Sequence, residues 1–257
     1  MTYYKELIGE YIGAFILVLF GCGAVASAVL LDAFGSLLEV AIIWGIGVSI
    51  AIFSVRNICP AHLNPAVSAA MALFGSFSIK KLPLYITSQF LGAFSAAALL
   101  YFIFGDTISD FEQTNSIVRG SIESMKTAQM FGEFFPNPEF ASKISITALQ
   151  AMALEAIGTF ILVFVIFRLT EKEEQTDNLT PILIGLTVTL IICLVAPYTQ
   201  AGINPARDFG PRLFAYLSGW GDAAFPTAPF SFFTVYIFGP ILGGIAAGGL
   251  NKLNENY

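Results

Sequence analysis

Two triplets stand out as chemistry in this sequence: Asn64-Pro65-Ala66 and Asn204-Pro205-Ala206. Asn is a leading helix N-cap and Pro fits the first helical position, so each triplet starts a helix. One would run from Asn64 through about Phe77, the other from Asn204 through about Leu217. A helix N-terminus carries roughly half a positive charge, and an Asn amide at that end donates a hydrogen bond to an oxygen in reach. The stretches before the triplets, Cys59–Leu63 and Thr199–Ile203, read as extended, with backbone carbonyls as acceptors at Pro60, Ala61, His62, Leu63, Gln200 and Gly202. Arg207 follows the second triplet and either pairs with Asp208 or serves as a donor and cation barrier. Glu10 and Glu155 sit within apolar runs. His62 is the sole histidine, and Cys22, Cys59 and Cys193 have no regular spacing, so neither a nucleophile–base set nor a metal-ligand pattern is present. No metal, cofactor or catalytic residue is expected.

The elements that hold these residues follow from composition. Of 257 residues, 56% are hydrophobic and 12% charged, about half the charge typical of a soluble domain. Too few charges remain to cover a soluble surface, which excludes an ordinary cytosolic enzyme and a disordered chain. A net charge of −6 leaves no basic face for a phosphate backbone, so nucleic acid is not a partner. A polytopic membrane protein remains, with the lipid bilayer as its surroundings. A spanning helix needs about 20 mostly apolar residues, and six runs qualify: 5–30, 38–56, 82–105, 145–168, 179–198 and 230–250. The first run is too long for a signal peptide and lacks a clear cleavage site, so it is read as a helix. The leftover segments, 57–79 and 199–221, are short and rich in Gly and Pro, and each holds one Asn triplet. Such backbone is tolerated at membrane depth only where protein or a water-filled cavity surrounds it, so both read as re-entrant.

The halves repeat. Leu7–Val18 reads against Met152–Val163, aligning Glu10 with Glu155 and Gly13 with Gly158. The two triplets align in the same order at nearly the same offset. Each half, about 1–105 and 144–257, holds three spans and one re-entrant segment, and the 106–143 connection joins them in a single domain. Three is odd, so the second half enters the membrane inverted, and the helix starts at Asn64 and Asn204 meet near the midplane. The expected fold is therefore all-α, with six transmembrane helices and two re-entrant half-helices in an inverted 3+3 repeat. Lys5, Lys80, Lys81, Arg168, Lys172 and Lys252 fall on the side of both termini, and the acidic connection falls on the other. The positive-inside rule makes the termini cytoplasmic.

Ala61-His-Leu-Asn-Pro-Ala-Val67 and Asn204-Pro-Ala-Arg-Asp-Phe-Gly-Pro211 resemble the signatures of the major intrinsic proteins, the aquaporins and aquaglyceroporins, and the resemblance covers essentially the whole chain. Asp110-Phe-Glu-Gln-Thr114, Ile117–Ser124, Pro136-Asn-Pro138 and Asp208 are similar to bacterial glycerol facilitators. The resemblance implies the aquaporin fold, a homotetramer with one pore per protomer, an inner or plasma membrane location, and Glu10 and Glu155 as supports for the re-entrant backbone. It also implies a four-residue selectivity filter. Trp44 and Arg207 match the facilitator pattern, whereas Ile192 stands where that subgroup has Gly and Ala201 where it has Phe. A Trp, aliphatic, Ala and Arg set resembles plant nodulin-type channels. Pro60 replaces the usual Gly, and Gln200 replaces a small residue, adding an amide near the outer mouth.

The expected function is passive passage of small uncharged polar solutes, glycerol first and water second, with protons and ions excluded. Water selectivity or another neutral metabolite is the alternative within the family. A proton-coupled transporter using Glu10 and Glu155, a pH gate at His62, and a structural junction protein are weaker readings. Cys59 lies close enough to the first loop for a mercurial to block flow.

Overall fold

Apolar helices form because a membrane interior offers backbone groups no water, leaving hydrogen bonding within each segment as the solution. A computed structural model describes residues 3–170, 178–226 and 230–254. It is helical throughout its regular elements. In chain order these are α1 (Tyr3–Leu31), α2 (Leu37–Val55), α3 (Pro65–Phe74), α4 (Leu82–Thr114), the short α5 (Met125–Ala128), α6 (Ala148–Thr170), α7 (Leu179–Thr199), α8 (Pro205–Ala215) and α9 (Gly239–Asn254). A wide-turn stretch, Phe233–Phe238, opens the last span. Six helices are long and apolar enough to cross a membrane, and their outer faces carry large apolar side chains such as Phe102, Leu149 and Leu194. Lys172 of the expected cytoplasmic charge set lies outside the described residues.

Pairing obeys the repeat. α1 packs on α4 and α6 on α9, while α2 packs on α7 and so joins the two halves of the chain. The half-helices cross over: α3 of the first half packs on α9, and α8 of the second half packs on α4. The two equivalent helix pairs approach closely through equivalent glycines. A methyl group on Gly92 would lie 2.2 Å from the Tyr11 carbonyl oxygen, and one on Gly243 would lie 2.0 Å from that of Ala156. Small residues at such crossings let backbones meet where burial from water cannot drive association.

Three boundaries depart from the sequence expectation. α4 runs to Thr114 rather than ending near 105. Apolarity reports only the stretch inside hydrocarbon, and this helix continues beyond it to place Glu112 against Arg119 (2.8 Å) and Thr127. α3 stops at Phe74, before Phe77, where the Gly75 N–H bonds to the Met71 carbonyl. α8 stops at Ala215, and the chain turns through Tyr216–Trp220 with Gly219 at a φ of +105°. That left-handed value suits Gly, which has no Cβ to clash.

Candidate functional site

Asn64 and Asn204 cap α3 and α8. The Asn64 side-chain oxygen accepts from the Ala66 N–H (2.8 Å), and that of Asn204 accepts from the Ala206 and Arg207 N–H groups. Pro65 and Pro205 occupy the first helical turn. Each Asn amide then reaches the opposite repeat: Asn64 Nδ2 donates to the Ile203 carbonyl (2.9 Å), and Asn204 Nδ2 donates to that of Leu63 (2.8 Å). An amide has two N–H groups, so this reciprocal clasp uses one and leaves the other for a solute. The two N-termini therefore face each other, with both amides oriented by bonds that the two repeats exchange.

The approach segments are not simply extended. Ala61 and Leu63 have φ near +52°, and Ala201 and Ile203 have φ of 61° and 41°. Thr199 still belongs to α7, whose C-cap, Gln200, is left-handed. Alternating hand lets two successive N–H groups face one side, which a plain strand forbids. Glu10 collects one such pair, from His62 (2.9 Å) and Leu63 (2.7 Å). Glu155 collects the other, from Gly202 (2.9 Å) and Ile203 (2.6 Å), and also accepts from the Thr199 hydroxyl. Gln89 donates to Glu10, and the Tyr236 hydroxyl donates to the Thr199 carbonyl. In a trans peptide the carbonyl points opposite to the N–H. With their N–H partners directed at the carboxylates, the carbonyls of Ala61, His62, Ala201 and Gly202 point away from the glutamates. Left-handed backbone at a β-branched residue such as Ile203 is rare and costs about 1–3 kcal/mol. The fixed carboxylates offset that cost.

The acceptor carbonyls expected from the sequence are those of Pro60, Ala61, His62, Leu63, Gln200 and Gly202. The Leu63 carbonyl is taken by Asn204. Ala201, absent from that set, contributes a carbonyl facing away from Glu155. The Gln200 side chain engages the connection between the repeats: its oxygen accepts from the Phe134 N–H (2.8 Å) and its amide donates to Gln129. Pro60 lines the cavity described next.

One cavity of about 690 Å³ joins these parts. It begins among Glu6, Arg56 and Ser76, passes Asn64 and Asn204, and ends at Trp44, Ile192, Ala201 and Arg207. The Arg207 guanidinium stacks on the Trp44 ring, 4.1 Å from its centroid. Trp44 itself seats against Gly21, where a methyl group would lie 2.1 Å from the indole. Cys59 lines the same cavity but is almost fully buried. The His62 ring packs beside Phe77 and Tyr85, with Nδ1 at 3.2 Å from the Ser68 hydroxyl.

Arg207 and Asp208 do not pair. Asp208 binds the fully buried Arg212 at 2.7 Å and accepts from the Glu133 N–H. Arg207 instead forms an ion pair with Glu133, which arrives from the connection between the repeats. Sequence reasoning missed Glu133, Gln129 and Arg212. The available signals were the acidic bias of that connection and the unusual Gln200, which needs a polar neighbour.

The sequence and the fold are matched elsewhere. The family description "Major intrinsic protein" covers residues 1–250. The chain belongs to this family. A glycerol uptake facilitator protein of Pseudomonas aeruginosa is 42% identical over 254 residues, covering 97% of this chain and 88% of its own length. A propanediol uptake facilitator of Citrobacter freundii is 35% identical over 250 residues, covering 96% and 90%. Among solved structures, the aquaglyceroporin from Plasmodium falciparum superposes with a TM-score of 0.82 at 25% identity, covering 98% of this chain and 96% of that one. As a major intrinsic protein with six apolar helices, the chain is an integral multi-pass membrane protein of a channel family and not an enzyme. Ile192 and Ala201 line the same cavity as Trp44 and Arg207.

Proposed function

We propose that this chain is a passive channel for small uncharged polar solutes, with glycerol and related polyols as main permeants and water as a secondary one. The observation that carries the reading is the single cavity running from the Glu6–Arg56 end, past the two clasped Asn caps, to the Trp44–Ile192–Ala201–Arg207 corner. Solute hydroxyls exchange water for backbone carbonyls, the spare amide hydrogens of Asn64 and Asn204, and Arg207. Carbon atoms slide along Trp44 and Ile192. The two helix N-termini place positive potential at the constriction, which opposes cations and hydronium where no bulk water screens it. The relatives named for glycerol and propanediol uptake support a neutral, hydroxyl-bearing substrate.

In this reading Trp44, Ile192, Ala201 and Arg207 form the filter, and Glu10 and Glu155 hold the loop carbonyls in place. The protein assembles as a homotetramer in a cell membrane with both termini cytoplasmic. The Lys81–Glu6 pair (2.7 Å) supports placing the start of α1 and the start of α4 on one side. Stopped-flow light scattering on proteoliposomes tests the function with water, glycerol and a five-carbon polyol. Rapid glycerol entry, insensitive to a proton gradient, is expected. Rapid water flow with no glycerol entry would show instead that Ile192 closes the filter and that the pore is water-selective.

A further inference from the structure

The Arg207 that lines the end of the cavity has a charged partner behind it. Glu133 arrives there from the 115–147 connection, is almost fully buried, and forms an ion pair with that arginine. Its backbone is fixed independently of its side chain. The Glu133 N–H donates to Asp208, and the Glu133 carbonyl accepts from Arg212. Neighbouring bonds tie the same segment to the pore wall: Phe134 N–H to Gln200, and the Asn137 amide to the Ala196 carbonyl (2.8 Å). The carboxylate is therefore held against the guanidinium by backbone bonds that side-chain substitution leaves in place.

We infer that Glu133 is a positioning residue of the filter, compensating the charge of Arg207 and so setting how tightly the guanidinium holds a passing hydroxyl. The inference rests on the channel reading above. With Glu133 ionised, the guanidinium shares its charge with a partner and its remaining donors bind a solute oxygen less strongly. With Glu133 neutral, the whole charge faces the solute, and a polyol, which must let go to move on, passes more slowly. Charge-assisted hydrogen bonds are roughly twice as strong as neutral ones.

The charged and titratable groups acting on Glu133 are Arg207, Asp208 and Arg212 of α8, Glu155 of α6, Cys22 of α1 and Tyr236 of the last span. Burial raises the Glu133 carboxyl to about 8; Arg207 and Arg212 pull against that rise, and Asp208 and Glu155 add to it. The group is thus ionised above that pH and protonated below it.

The experiment measures glycerol and water flux in proteoliposomes of wild type, Glu133→Gln and Glu133→Asp, with the same buffer on both sides, from pH 6 to pH 9.5. Wild-type glycerol flux is expected to rise about fivefold across this range, the scale of one hydrogen bond losing its charge assistance. Glu133→Gln is expected to stay flat at the low-pH value, and Glu133→Asp to retain a pH-dependent profile. Water, which makes fewer simultaneous contacts, should change less. A wild-type protein that passes glycerol with a flat profile, or a Glu133→Gln profile matching wild type, would overturn the inference alone. A wild-type protein passing no glycerol at any pH would overturn the glycerol reading and this inference with it.

Discussion

Replacing Glu155 by Gln removes one charge and one acceptor oxygen from a site that receives three hydrogen bonds. In the native protein one carboxylate oxygen accepts from the Thr199 hydroxyl (2.6 Å) and the Gly202 N–H (2.9 Å), and the other accepts from the Ile203 N–H (2.6 Å). A Gln side chain has one oxygen. If it keeps Thr199 and Gly202, its NH₂ group faces the Ile203 N–H, and a buried donor loses its acceptor at about 1–3 kcal/mol. The two bonds that remain lose their charge assistance, about 1 kcal/mol each. The smaller desolvation cost of a neutral side chain offsets part of this, leaving a loss of about 3 kcal/mol. The left-handed backbone at Ile203, with φ of 41°, then lacks the bond that holds it. Its peptide turns and withdraws the Gly202 carbonyl from the pore. Glycerol flux should fall about tenfold, equivalent to about 1.4 kcal/mol of barrier, and thermal unfolding in detergent should begin several degrees lower. Stopped-flow swelling and a melting scan of the same preparation read both effects. A Glu155→Gln protein with native melting and flux within twofold of wild type would refute the claim that this carboxylate shapes the loop.

Other outcomes follow from the same geometry. Gly243→Val puts a side chain where even a methyl group lies 2.0 Å from the Ala156 carbonyl oxygen; the yield of folded protein from detergent extraction should drop sharply, and native yield would disprove the close crossing. Asp208→Asn strips the fully buried Arg212 of its carboxylate, costing about 3–5 kcal/mol, visible as lowered melting. Asn64→Ala removes a helix cap worth about 1 kcal/mol along with the bond to the Ile203 carbonyl, so flux should fall while the fold survives. Cys59 lines the cavity, so a mercurial that labels it should slow glycerol entry, and Cys59→Ser should abolish the block. Unchanged flux with labelling confirmed would sink that idea.

Local chemistry and periodicity were enough to determine much of this protein from sequence. Uncharged runs near 20 residues gave six spans because hydrocarbon thickness sets a length. The paired Asn-Pro-Ala triplets gave two helix starts because capping and proline φ are local properties. The Glu10 and Glu155 alignment exposed the inverted repeat. Only the tertiary structure decided how these parts engage. The alternating backbone hand at 61–63 and 201–203 depends on carboxylates about 50 residues away in the chain, which no local propensity encodes. The clasp of each Asn amide on the opposite loop exists only once the repeats meet. Arg207 found its partner in Glu133, 74 positions earlier, rather than in adjacent Asp208, because Asp208 points the other way, at Arg212, the i+4 neighbour on its own helix face. Sequence shows which charges must be compensated in a membrane, but packing chooses the groups that compensate them.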